Sequence, residues 1–149
     1  MEFVTRQGTN EDKDWLYQLY CSTMRMYVEL TWGWDEEFQR HGFQTNLHPT
    51  KFRIVVIGQD SEGAYLVNEE DDHYWIEMLL VSKKVQRKGL GSAIIKELQA
   101  ESVRTGKPLR LSVIKANPAK EFYRRLGFYA YDQDESFIKM KWAYNKPVH

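Results

Sequence analysis

The chain has 149 residues, 42% hydrophobic and 28% charged, which fits one globular domain over 1–149 and excludes a disordered chain. A lone cysteine, Cys21, excludes an internal disulfide framework and favours a reducing compartment. No apolar run nears the roughly 18 residues of a membrane span, and the acidic start resembles no targeting peptide, so a cytoplasmic location is expected. The formal charge of zero conceals a split. Residues 1–72 hold 6 Lys/Arg against 14 Asp/Glu, net −8, and residues 73–149 hold 15 against 7, net +8. This suits a site with one anion-binding and one cation-binding wall, or charges that merely segregate along the chain and mix in space.

The elements follow in chain order. Residues 2–6 read as a short strand. Thr9 or Asn10 caps a helix with an acidic first turn (Glu11, Asp12, Asp14). It runs to about Leu30, with Trp15, Leu16, Leu19, Tyr20, Met24 and Tyr27 at helical spacing. Thr31-Trp32-Gly33-Trp34 breaks it, and a second helix covers Asp35 to about Phe43. Residues 51–57 form a β-branched strand, 60–63 a turn, and 64–68 the hairpin partner. Tyr74–Ser82 is the most apolar strand. A helix then runs to Thr105, where Gly106 and Pro108 stop it. Leu109–Ile114 is a strand, and Asn117 caps a helix, with Pro118 first, that ends near Gly127. Residues 128–131 and 136–142 are the last strands. The order describes a mixed α/β layered fold.

The richest stretch runs from Val81 to Ser92. A buried strand meets a loop with two glycines, Gly89 and Gly91, and a helix opens directly behind them. Unpaired amides at a helix start attract anions, and glycines let a phosphate approach the backbone. Lys83, Lys84, Arg87 and Lys88 add positive charge. The dinucleotide pattern lacks its third glycine here, and the nucleoside triphosphate loop lacks its Lys-Ser/Thr pair. The same residues are equally compatible with a plain strand–helix turn bearing solvated lysines.

Gln86-Arg87-Lys88-Gly89-Leu90-Gly91 resembles the Gln/Arg-x-x-Gly-x-Gly/Ala signature of the GNAT family of N-acetyltransferases. Residues 117–128, with Asn117, Tyr123 and the closing Leu126-Gly127-Phe128, are similar to that family's later helix. Element order agrees from about residue 2 to 143, while residues 28–50 match nothing diagnostic. The resemblance implies a mixed, mostly antiparallel splayed sheet with helices on both faces. It implies acetyl-CoA as co-substrate, lying in the split between the strands that end near Val81 and Ile114. The amides of Arg87, Lys88, Gly89, Leu90, Gly91 and Ser92, with Gln86, would hold the pyrophosphate. Leu80 and Val81 would pair with the pantetheine and face the acetyl carbonyl. Asn117 and Tyr123 would meet the thiol end.

Acetyl transfer to an amine requires a base, oxyanion donors and a proton for the leaving thiolate. Tyr123 is the candidate proton donor, against a purely structural core tyrosine. Glu77, in an otherwise apolar strand, is the candidate base, because burial there would raise its pKa; the alternatives are a water chain, or a carboxylate on the wetter face paired with a lysine. Tyr27, Glu29, Trp32 and Trp34, with Glu36 and Glu37, form either a wall for a cationic amine or helix packing. Histidines 41, 48, 73 and 149 lack metal spacing, so no metal is expected, and Cys21 reads as buried filler. The neutral total argues against nucleic acid as partner. The expected function is direct acetyl transfer to a small-molecule or protein amine, with a homodimer possible. A non-catalytic CoA-binding regulatory module is the alternative.

Overall fold

A computed structural model describes residues 2–144 of the chain. In order they form β1 (Val4–Gln7), α1 (Lys13–Trp32), α2 (Glu36–Asn46), β2 (Arg53–Ile57), β3 (Asp60–Glu69), β4 (Tyr74–Val81), α3 (Leu90–Thr105), β5 (Leu109–Ile114), α4 (Ala119–Arg125), β6 (Tyr129–Gln133) and β7 (Phe137–Trp142). The strands form one sheet in the order β1-β2-β3-β4-β5-β7-β6. β4 and β5 run parallel, and the β1–β2, β2–β3, β5–β7 and β6–β7 pairs are antiparallel. This is the expected α/β class with a mixed, mostly antiparallel sheet. The β4–β5 register ends at Ile76↔Leu111, although β4 continues to Val81, as a splayed sheet requires.

Contacts divide the chain into two compact units. One holds the chain up to residue 66 with 78–90, the other 67–77 with the chain from 91 onward, and β3 and β4 pass through both.

In the first unit, α1 turns Leu16, Tyr17 and Leu19 onto Phe52, Ile54, Ala64, Leu66 and Leu80, all buried. Phe43 of α2 stacks on Tyr20 at 4.7 Å. Asp35 caps α2 by accepting from the Phe38 amide at 2.9 Å, so the polar helix starts where its orphan donors are satisfied. The β2–β3 hairpin corrects the sequence reading. Residues 60–63 are not the turn but the start of β3; the turn lies at 58–59, where Gly58 takes φ +64°. The polar run Asp60-Ser61-Glu62 pairs with β2, and the register steps from Val55↔Gly63 to Val56↔Ser61, leaving Glu62 as a bulge residue.

In the second unit, β5 alternates buried Leu109, Leu111 and Val113 with half-buried Arg110 and Ser112. Tyr74, Ile76 and Met140 are buried on the same face as Leu109 and Leu111. α3 belongs to that face, since the Tyr74 hydroxyl donates to Thr105 at 3.2 Å. α4 is tied to α3 by Gln99, which donates to the Leu126 carbonyl at 2.8 Å.

Candidate functional site

The loop between β4 and α3 is fastened before it reaches its glycines. Gln86 donates through Nε2 to the Val81 carbonyl at 2.9 Å, so that carbonyl is already engaged. The Ser82 amide donates to the Glu62 carbonyl at 2.9 Å, and Lys84 pairs with the Glu62 carboxylate at 3.3 Å. Glu62 is only 6% exposed, and its bulge aims it inward. Sequence reasoning missed Glu62, and it counted Lys84 as rim charge although a carboxylate holds it. Arg87 and Lys88 are exposed and form no ion pair among the described residues.

Past Gln86 the backbone turns sharply. Arg87 takes φ +65° and Gly89 φ +90°, two left-handed residues within three. Arg87 is strained there and Gly89 is not. The backbone N–H groups of Arg87, Lys88 and Gly89 make no hydrogen bond among the described residues, and α3 opens at Leu90. A Cβ on Gly89 would meet nothing within 4 Å. Gly91 differs: a Cβ there would lie 3.2 Å from Phe122 Cζ, so its missing side chain lets α3 and α4 pack. The space is therefore open over Gly89 and taken by Phe122 at Gly91. Leu80 is buried and Val81 and Ser92 half-buried.

In the second unit Tyr123 is 8% exposed, set edge-on to Phe122 at 5.1 Å and Phe128 at 5.5 Å. Its hydroxyl has no hydrogen-bond partner among the described residues, and burial pushes its pKa above the ordinary phenol value. The sequence reading of Asn117 as cap is shifted by one residue, since Pro118 is the N-cap of α4; Asn117 stands just before it, and its side-chain oxygen accepts from the Ala119 amide at 2.9 Å.

Glu77 is a correction. It is exposed, not buried, and accepts from the Trp75 indole at 2.9 Å. The strand is apolar in composition, but Glu77 falls on its wetter face, and the desolvation argument goes with the burial. The aromatic and acidic wall is also changed. Trp34 packs on the core of the first unit, its indole donates to Glu36 at 2.9 Å, and Arg25 lies 5.0 Å above its ring. Arg25 also pairs with Glu29 at 3.8 Å and Arg40 with Glu36 at 3.6 Å. The wall therefore carries its own cations. Tyr27 is half-buried, and Trp32 is 53% exposed.

Cys21 is half-buried against the core of the first unit and not fully buried as expected, and desolvation raises the pKa of its thiol. No cluster of three His, Cys, Asp or Glu capable of holding a metal occurs among the described residues; His149 lies outside them. No helix of the described chain is long and apolar enough to cross a membrane.

The family model of the acetyltransferase (GNAT) domain matches residues 33–142. The chain belongs to the GNAT acetyltransferase family. Solved GNAT-like structures resemble it over nearly its whole length. PaiA N-acetyltransferase from Thermoplasma acidophilum, in complex with coenzyme A, aligns with TM-score 0.78 and 17% identity, covering 97% of this chain and 100% of that one. An acetyltransferase from Thermus thermophilus aligns at 0.75 and 18% identity, covering 97% and 98%. The ribosomal-protein-S18-alanine N-acetyltransferase of Escherichia coli aligns at 0.71 and 17%, covering 99% and 97%. At such identities these likenesses speak for the GNAT fold. Curated protein sequences yield no significant match.

Proposed function

We propose that this GNAT acetyltransferase, as one domain over 1–149, transfers an acetyl group from acetyl-CoA directly to a primary amine. The observation that carries this reading is the loop before α3, with left-handed Arg87 and Gly89, unbonded amides and open space over Gly89. Successive amides in such a conformation form a concave donor set for a diphosphate, and the start of a 16-residue helix adds its dipole. The residues present fit the coenzyme, and the complex of a neighbouring fold with coenzyme A supports it.

In this reading the amides of Arg87, Lys88, Gly89, Leu90, Gly91 and Ser92 hold the pyrophosphate. Gln86 acts indirectly, by fixing the Val81 end of the loop. Backbone groups of Leu80 and Val81, beyond the last β4–β5 pair, meet the pantetheine and donate to the developing oxyanion. Acetyl-CoA supplies an acyl carbon activated as a thioester. Glu77, one oxygen held by Trp75, takes the proton of the incoming ammonium on its other oxygen, directly or through water. The amine nitrogen then bonds the acyl carbon, the carbon–sulfur bond breaks, Tyr123 gives its hydroxyl proton to the departing sulfur, and the second proton leaving the nitrogen passes through water to restore the Tyr123 phenol. Burial disfavours phenolate and thiolate alike, so the raised pKa of Tyr123 does not by itself remove this role. Asn117 holds the start of the helix that carries Tyr123. Exposed Trp32 and half-buried Tyr27 line the acceptor side in this reading.

The test is titration of acetyl-CoA into the wild type and Gly89→Val, alongside free-thiol release in an acceptor screen. Valine at φ +90° strains the loop and fills the space above it, so affinity should fall at least tenfold while the fold survives. Unchanged affinity would remove the pyrophosphate assignment. Acetyl-CoA binding without thiol release to any amine would favour a regulatory module.

A further inference from the structure

The sheet of the second unit has a second face, opposite the one buried by α3. Register places Trp75 beside Arg110, Arg110 beside Lys141 and Lys141 beside Tyr129, so these four side chains share it. None of the four is buried. Two features of this face are unexplained by folding. The Nε of Arg110 is buried without a hydrogen-bond partner, and the guanidinium makes no ion pair among the described residues, resting instead on the Tyr131 ring at 5.6 Å. Arg110 and Lys141 also lie directly opposite one another, an arrangement that repels. Asp72, the acid whose charge reaches Arg110, is bonded to His73 at 2.7 Å. Tyr131 arrives over Arg110 because the β6–β7 register steps from Ala130↔Met140 to Asp132↔Lys139, leaving Tyr131 as a bulge residue.

We propose that Arg110, with Lys141 beside it, holds a carboxylate of the acceptor, so that the amine acetylated is an amino acid or a short peptide bearing a free carboxylate. This rests on the acetyltransfer reading above. A carboxylate is the group that meets a guanidinium fork in two parallel hydrogen bonds, and it relieves the repulsion between the two cations. Trp75 links this point to the chemistry. It is the register neighbour of Arg110 on β4, and its indole donates to Glu77 two residues further along, about 7 Å at strand rise. One face thus offers a cation pair and a proton acceptor at the spacing of a small amine-acid. A polycationic acceptor finds no support, because Glu29 and Glu36 are already paired with Arg25 and Arg40.

The test uses the full chain and L-aspartate, the dipeptide Ala-Asp, its fully amidated counterpart, and putrescine. The indole N–H resonance of Trp75, assigned by its loss in Trp75→Phe, is followed without acetyl-CoA. A saturable shift with an acid probe, at least tenfold weaker with the amide and lost in Arg110→Gln, is expected; Arg110→Lys should keep part of it. Whichever of aspartate and Ala-Asp binds more tightly separates a free amino acid from a peptide. In turnover the acid should exceed the amide at least tenfold in kcat/KM, chiefly through KM. Equal response to acid and amide, preference for putrescine, or no shift with either acid overturns the proposal. The wild-type acid-against-amide comparison needs no variant to fold. Acetyl-CoA is titrated separately into the same protein. Failure there defeats the acetyltransfer reading, whereas failure of the indole shift alone defeats only the carboxylate site.

Discussion

At the scale of the residue, Tyr123 and Glu77 separate two ways in which a side chain joins chemistry. Tyr123 is packed between two aromatic rings with its hydroxyl unbonded, a phenol whose oxygen the fold does not need. Tyr123→Phe should therefore leave stability within about 1 kcal/mol of wild type, while turnover falls roughly 10- to 1,000-fold with the acceptor's KM little changed. Tyr123→Ala should in addition lose about 3–5 kcal/mol of stability, measured by denaturation. Near-normal turnover in the Phe variant, with chemistry shown to limit the rate, would leave Tyr123 a packing residue. Glu77 is held by Trp75 at the wetter side of β4. Glu77→Gln keeps that hydrogen bond and removes the basic oxygen. The acid limb of the pH–rate profile should vanish and acetyl-CoA should bind as before; an acid limb that persists assigns proton removal to another group.

At the scale of the element, the sequence is legible where one segment decides its own structure. Leu109–Ile114 reads correctly to the residue because its alternation needs no partner to be seen. The loop before α3 is legible because its glycines and the helix start behind them mark a sharp turn together. Glu62 is hidden, because Asp60-Ser61-Glu62-Gly63 has the composition of a turn, and only pairing with β2 makes it a bulged strand. The exposure of Glu77 is hidden for the same reason: which face of a strand is wet depends on its neighbours. Gly91 shows a third case, where the signature is right and the reason is Phe122 instead of a ligand. The Glu62 carboxylate pairs with Lys84 at 3.3 Å and accepts from the Ser82 hydroxyl at 3.4 Å, so Glu62→Ala should loosen the first turn of the loop even though the Ser82 amide keeps the Glu62 carbonyl. Stability should fall by about 1–3 kcal/mol, and acetyl-CoA affinity should fall too, although Glu62 is no part of the proposed coenzyme contacts. Thermal denaturation and a coenzyme titration of the same variant check both, and unchanged affinity would mean that the loop holds its shape without Glu62.

At the scale of the whole molecule, several acidic residues of the first half are ion-paired within that half. Acidic residues of the first half hold nearby arginines, as Asp12 holds Arg6, and those pairs govern the response of the fold to pH. Arg6 holds the Asp12 carboxyl below its ordinary range, and the Thr9 amide adds to this. Glu36, Glu101, Asp72 and Asp134 are lowered as well, by the Trp34 indole, Arg104, His73 and the Phe137 and Ser136 amides. A carboxyl whose folded pKa lies below its unfolded value stabilises the fold above that value, about 4, and the contribution is lost as pH falls through the folded pKa. Burial raises the pKa of Tyr123 and Tyr17, and the sign reverses. Their contribution is whole below the unfolded phenol value of about 10 and is lost as pH rises past it. Burial raises the Cys21 thiol in the same sense, from an unfolded value of about 8.5, so the urea midpoint should be flat between about pH 5 and 8 and fall on both sides. Asp12 is the test residue, because its side chain is 12% exposed and solvent screens its pair with Arg6 least. Asp12→Asn should lower the midpoint at pH 7 and flatten its fall between pH 5 and 3, with little change above pH 9. A variant that loses stability at pH 7 yet keeps the full acid slope would show that the fall belongs to the exposed carboxylates, and that the Arg6–Asp12 pair only shapes the start of α1.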